Sequence, residues 1–142
     1  MEVNLGSHHQ VMELIEGQRL IGAMNNTRWN ALFNDLNNVE EMLSYKVTYI
    51  DGSCWPEADS GHSETSEIEQ IWGNFIAMEF LDIRTKIEKP RGALVSPETV
   101  DITVQVTNLC AINKAKISLT EHGVRVWGYF RHDQTPVLHE YT

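Results

Sequence analysis

Gly123-Val124-Arg125-Val126-Trp127-Gly128-Tyr129-Phe130 alternates β-branched and aromatic residues near the C-terminus, which is the pattern of a β-strand. In a regular strand Val124, Val126 and Phe130 share one face and Arg125, Trp127 and Tyr129 the other. Both faces are then partly apolar, so the strand belongs inside a sheet rather than at its edge. Upstream, Ala115-Lys116-Ile117-Ser118-Leu119 reads as a short strand. Glu121-His122-Gly123 supplies a tight connection, and the two strands form a hairpin. His122 is a turn residue in this reading.

A second apolar run, Phe75-Ile76-Ala77-Met78-Glu79-Phe80-Leu81-Asp82-Ile83, suits a central strand and is too short to cross a bilayer. Glu79 and Asp82 are three apart, so a strand points them to opposite faces. A structural ion pair with Arg84 or Arg125 explains them better than paired acid–base chemistry. Arg84, Lys86, Lys89 and Arg91 follow as a small basic segment that turns at Lys89-Pro90-Arg91-Gly92.

The segment between this strand and the hairpin carries two signals. Ser96-Pro97-Glu98 is a helix opening, with a capping side chain, proline at the first position and an acid near the positive end of the dipole. Val100, Ile102, Val104 and Val106 alternate as a strand would. The residues themselves leave both open.

In the N-terminal half, Asn25-Asn26-Thr27 is a run of helix-start residues, followed by Trp29, Leu32, Phe33 and Leu36 at spacings of three and four. This predicts an amphipathic helix from Thr27 to Leu36 that packs its apolar stripe on the core. Val39 to Leu43 adds a further helical turn. Tyr45, Val47 and Tyr49 then alternate as a strand, and Asp51-Gly52 is a strong turn signal. Residues 1–23 contain Gly6-Ser7-His8-His9 and a scatter of apolar residues from Val11 to Ile21, which reads as a frayed extension. The adjacent His8 and His9 point apart on any regular element and make a poor metal pair.

With 142 residues and 42% apolar composition, the chain suits one domain with its own core. The formal net charge of −9 at pH 7 disfavours nucleic acid and anionic membranes as partners. Two cysteines, Cys54 and Cys110, without a leader pattern fit free thiols and a cytoplasmic protein. No phosphate loop, dinucleotide fingerprint, nucleophile elbow or zinc spacing occurs, so no cofactor and no enzymatic activity is expected.

The charge is concentrated. From Ser53 to Glu69 the chain is a long loop, and no Lys or Arg occurs between Lys46 and Arg84. Ser66 with Glu69 can cap a short turn through Ile71. Asp51, Glu57, Asp59, Glu64, Glu67 and Glu69 with Trp55 and Trp72 form the candidate partner-binding set, because aromatic anchors among carboxylates suit a basic protein surface. A tryptophan that plugs the core is the bland alternative. Cys54, Asp59, His62 and Glu64 are the competing catalytic or metal candidates, having the ligand types without a regular element to fix them.

Three stretches, Met24-Asn25-Asn26-Thr27-Arg28-Trp29, Met78-Glu79-Phe80-Leu81-Asp82-Ile83 and Val124-Arg125-Val126-Trp127-Gly128-Tyr129, together resemble the short bacterial proteins grouped as domain of unknown function 6678. The resemblance runs from Met24 to about Arg131. It implies a helix from about Pro97 to Leu109, makes Met24 the natural start and brings no catalytic residues. The resulting expectation is a single α+β domain over residues 24–131, with an extension at 1–23 and a tail at 132–142. It has an N-terminal helix, a mostly antiparallel sheet, and a second helix before a C-terminal β-hairpin. The functional expectation is a non-enzymatic immunity protein that neutralises a basic toxin domain. A small hydrolase and an adaptor or housekeeping domain are the alternatives.

Overall fold

The computed structural model describes residues 8–140. It is an α+β fold built on one five-stranded antiparallel sheet. The elements run α1 (His8–Gly17), β1 (Ile21–Gly22), α2 (Asn26–Asn37), β2 (Ser44–Tyr49), β3 (Cys54–Trp55), β4 (Met78–Arg84), β5 (Lys86–Lys89), β6 (Glu98–Asp101), α3 (Thr103–Ile112), β7 (Ile117–Leu119), β8 (Gly123–Trp127) and β9 (Tyr129–Phe130). The sheet order is β3-β2-β4-β8-β7, which places β8 inside the sheet. No described helix is long and apolar enough to cross a membrane.

Alternation divides the sheet into two unlike faces. Tyr45, Val47, Leu81, Ile83, Ile117, Val124 and Val126 are buried on one of them, where they meet Trp29, Leu32, Phe33 and Leu36 of α2 and Val106 and Cys110 of α3. The i, i+3, i+4 and i+7 spacing of the α2 residues makes this single stripe possible. Asn25 caps the helix, its side chain accepting from the Arg28 amide at 2.9 Å. The other face is partly buried, and the C-terminal segment borders it, the Val137 carbonyl accepting from the Ser118 hydroxyl at 2.6 Å. There the cross-strand rows read Thr48, Phe80, Trp127 and then Lys46, Asp82, Arg125, Ser118.

Two glycines bracket β8. A Cβ on Gly123 would stand 2.0 Å from the Ile83 carbonyl oxygen, and one on Gly128 would stand 2.1 Å from that of Met78. Neither distance admits a side chain. At Gly128 the strand breaks, its amide donating to the Glu79 carbonyl at 2.7 Å. The break shifts the alternation expected through Phe130. Phe130 meets Trp127 with centroids 5.8 Å apart, and Tyr129 turns to the second cluster and donates to the Ile76 carbonyl at 2.7 Å.

That second cluster corrects the reading of residues 1–23 as a frayed extension. Residues 1–7, including the Gly6-Ser7 part of the expected loop, lie outside the described residues. His8 and His9 begin α1, and Val11 of α1 is fully buried with Ile50 and Ala77. β1 pairs with β9, Ile21 opposite Phe130. A polar latch closes the cluster: the Arg131 guanidinium donates to both Glu79 carboxylate oxygens and to the Gln18 side-chain oxygen. Glu79 is buried, and with Arg131 it forms the ion pair that Asp82 forms with Arg125.

The helix expected from Pro97 starts later. Glu98–Asp101 forms β6, pairing with Lys86–Lys89 of β5 in a two-stranded arm, and α3 begins at Thr103. Ser96-Pro97-Glu98 therefore opens a strand. The side chain of Asp101 receives the Thr103 amide at 2.9 Å and its hydroxyl at 2.6 Å, which holds the Asp101 carboxyl below its usual range. The four alternating residues are divided, Val100 on β6, Ile102 at the cap position of α3, and Val104 and Val106 on α3. Val39 to Leu43 forms no helical turn.

Gly123→Ala is expected to lower unfolding free energy by about 3 kcal/mol, since only backbone could move aside. Gly17→Ala, which meets nothing within 4 Å, should be neutral or slightly stabilising. Urea unfolding of both variants measures the contrast. Glu79→Ala should cost about 3 kcal/mol by leaving Arg131 unpaired, and amide exchange in Val11 to Ile15 should accelerate more than in α2.

Candidate functional site

The acidic segment forms an excursion from the free edge of the sheet. Its entry is β3, where Trp55 pairs opposite Val47. Its return is Thr65, which exchanges backbone hydrogen bonds with Tyr45 at 2.7 and 2.8 Å. Both anchors hang on β2, so the loop is fixed at each end by strand pairing. Within it Ser60 ties the turn, its hydroxyl donating to the Glu57 carbonyl at 2.7 Å.

Between the loop and the residues after it lies a groove of about 600 Å³, lined among others by Trp55, Pro56, Glu57, His62, Glu64 and Glu67. Three carboxylates and no Lys or Arg line it. Trp55 is 37% exposed and so offers ring surface while its backbone stays in the sheet. The carboxylates differ in freedom. Glu64 is engaged, both of its oxygens accepting from Arg84 Nε at 3.0 and 2.9 Å. The Glu67 carboxylate accepts from the Gln70 side-chain nitrogen at 2.6 Å.

The structure thus gathers Trp55, Glu57, Glu64 and Glu67 and leaves the rest of the candidate set elsewhere. Asp51 closes the β2–β3 turn, accepting from the Ser53 amide at 2.9 Å, beside Gly52 with φ 89°. Asp59 is exposed on the loop, outside the lining. Glu69 belongs to a short 3-10 turn, Ile68–Gln70. Burial and, secondarily, the Glu69 charge raise the pKa of the Tyr45 phenol. Trp72 packs edge-on against Phe33 at 5.6 Å and donates to the Asn30 side chain at 2.9 Å. It serves the core next to Trp29 and Phe75, and the bland alternative holds for it.

The competing set of Cys54, Asp59, His62 and Glu64 is only half assembled. His62 and Glu64 line the groove, while Cys54 and Asp59 do not. Among the described residues no three His, Cys, Asp or Glu side chains are placed to hold a metal ion.

A second polar assembly lies on the sheet face opposite α2 and α3. Arg125 donates to Asp82 through two nitrogens at 2.7 and 3.1 Å. Its guanidinium also lies 4.0 Å from the Phe80 ring centroid and 5.7 Å from that of Trp127. Trp127 donates to the Ser118 hydroxyl at 2.9 Å. A cleft of about 340 Å³ opens beside this assembly, lined by Lys46, Glu64, Asp82, Arg84, Arg125 and the Thr120–His122 turn. Glu64 lies in both hollows. The sequence signal was the period-two series Phe80, Asp82, Arg84 inside an otherwise apolar run, which places one aromatic and two charges on a single face.

Cys54 is half-buried and Cys110 buried, and burial pushes the Cys110 thiol up to about 12. At pH 8 a thiol reagent should therefore titrate one cysteine in the native protein, Cys54, and the second only on unfolding. Two equivalents released from the native state would contradict the packing of α3.

No curated protein and no solved structure matches the chain. Residues 11–133 match the family of unknown function DUF6678. The match begins before Met24 and so takes in most of α1, all of β1 and the latch at Gln18 and Arg131. The chain belongs to the DUF6678 family.

Proposed function

We propose that this chain is a non-enzymatic protein-binding protein, in its most concrete form a bacterial immunity protein that acts in the cytoplasm and occludes the basic cleft of a cognate toxin domain. The observation that carries this reading is the groove at the β2–β3 edge, with three carboxylates, no cation and the half-exposed Trp55. Carboxylates steer a basic surface and raise its encounter rate, and a tryptophan supplies desolvated contact once it arrives. Pinning both ends of the loop on β2 lowers the ordering cost of binding. A hydrolase built on Cys54, Asp59, His62 and Glu64 has less support, because the four are not gathered and Glu64 is already paired.

The test is co-expression with the polypeptide encoded immediately upstream. That polypeptide should arrest growth alone, be neutralised by this chain, and form a stoichiometric complex with it. Glu57→Lys with Glu67→Lys should weaken the complex at least about tenfold, given the size of close interfacial charge couplings. The pair Glu16→Lys and Glu98→Lys, exposed elsewhere, should not. A complex indifferent to the groove reversal removes the groove from the interface, and the absence of growth arrest and complex alike removes the immunity reading.

A further inference from the structure

We propose that the cleft on the polar sheet face binds an oxyanion, a carboxylate or a phosphate, through Lys46, Arg84 and Arg125. This site is separate in chemistry from the acidic groove and does not depend on its assignment. The proposal rests on which donors are already used. Arg84 spends only Nε on Glu64, which accepts there with both oxygens, so neither terminal nitrogen of its fork has a partner in that ion pair. Arg125 uses Nε and Nη2 on Asp82, leaving Nη1. No described residue accepts from the Lys46 ammonium.

The cleft is formally neutral, Glu64, Asp82 and Glu121 facing Lys46, Arg84 and Arg125, so directed N–H groups rather than net charge would hold an anion there. Asp82 stands between Lys46 and Arg125 in the cross-strand row, but both its oxygens are taken by Arg125. Glu121 is exposed along nearly its whole side chain, and its carbonyl is held by the Lys86 ammonium at 3.0 Å. Arg84 and Arg125 are thus oriented in advance by their own carboxylates, and with Lys46 they line a hollow of about 340 Å³. Fixed donors of this kind suit a planar or tetrahedral oxyanion, and guanidinium forks match either. The chain as a whole is acidic, so attraction to an anion must be short-range.

Titration of the intact protein with sodium phosphate and, separately, sodium acetate at constant ionic strength, followed by ¹⁵N NMR, tests the site. Saturable shifts centred on the Arg84 and Arg125 Nε–H signals and the Thr120 to Gly123 amides are expected. Lys46→Gln should weaken binding about tenfold, the size of one charge-assisted hydrogen bond. Arg28→Gln, exposed on α2 in the opposite layer, should leave it unchanged. Binding of phosphate alone identifies a phosphate-bearing ligand, and comparable binding of acetate identifies a carboxylate. Linear, non-saturating shifts with both anions, or identical titrations of the wild type and a folded Lys46→Gln variant, overturn the proposal.

Discussion

The backbones of β4 and β8 approach so closely at two points that only hydrogen fits between them. Gly123 and Gly128 stand at these points, facing the carbonyl oxygens of Ile83 and Met78. Neither has a left-handed φ; what is demanded of them is absence of a side chain, not conformational freedom. The distance between the two contacts fixes β8 against β4, and this register puts Val124 and Val126 inward opposite Ile83 and Leu81. A slip by one residue would place Arg125 and Trp127 under the helices.

The same register sets the chemistry of the outer face. It brings Asp82 beside Arg125 and Phe80 beside Trp127, so a guanidinium is held by a carboxylate while lying over an aromatic ring. Arrangements of this kind add roughly 1 kcal/mol each when partly exposed, and their larger effect is to hold side chains in one orientation. Glu64 extends that order into the acidic loop by crossing to Arg84. The loop and the sheet face are therefore mechanically linked through one ion pair. What engages either hollow acts on a residue shared with the other.

Much of this was legible in the residues. The α2 stripe with its Asn25 cap, the alternation of β2 and β4, and the β7–β8 hairpin are local patterns, and local patterns survive without knowledge of partners. The failures share a cause in distance. Val11 of α1 is meaningful only once Ile50 and Ala77 are beside it, and no window of sequence contains all three. Ser96-Pro97-Glu98 has a helix opening's chemistry, but β5 offers Glu98–Asp101 a pairing edge, and the ladder overrides the local preference. In the candidate site, composition located the carboxylates and Trp55. It could not distinguish Trp72, whose partner Phe33 lies on α2, or foresee that Arg84 would take Glu64.

The latch joins Gln18, Glu79 and Arg131, with the outer two separated by 113 positions. During synthesis α1 therefore emerges long before β9 and Arg131 exist: Ile50 and Ala77 of its apolar seat come at mid-chain, but Tyr129 and the latch come only near the end. Contacts of such high sequence separation form late because chain closure must come first. A ribosome stalled before residue 131 would leave Gln18 at the end of α1 without its Arg131 partner.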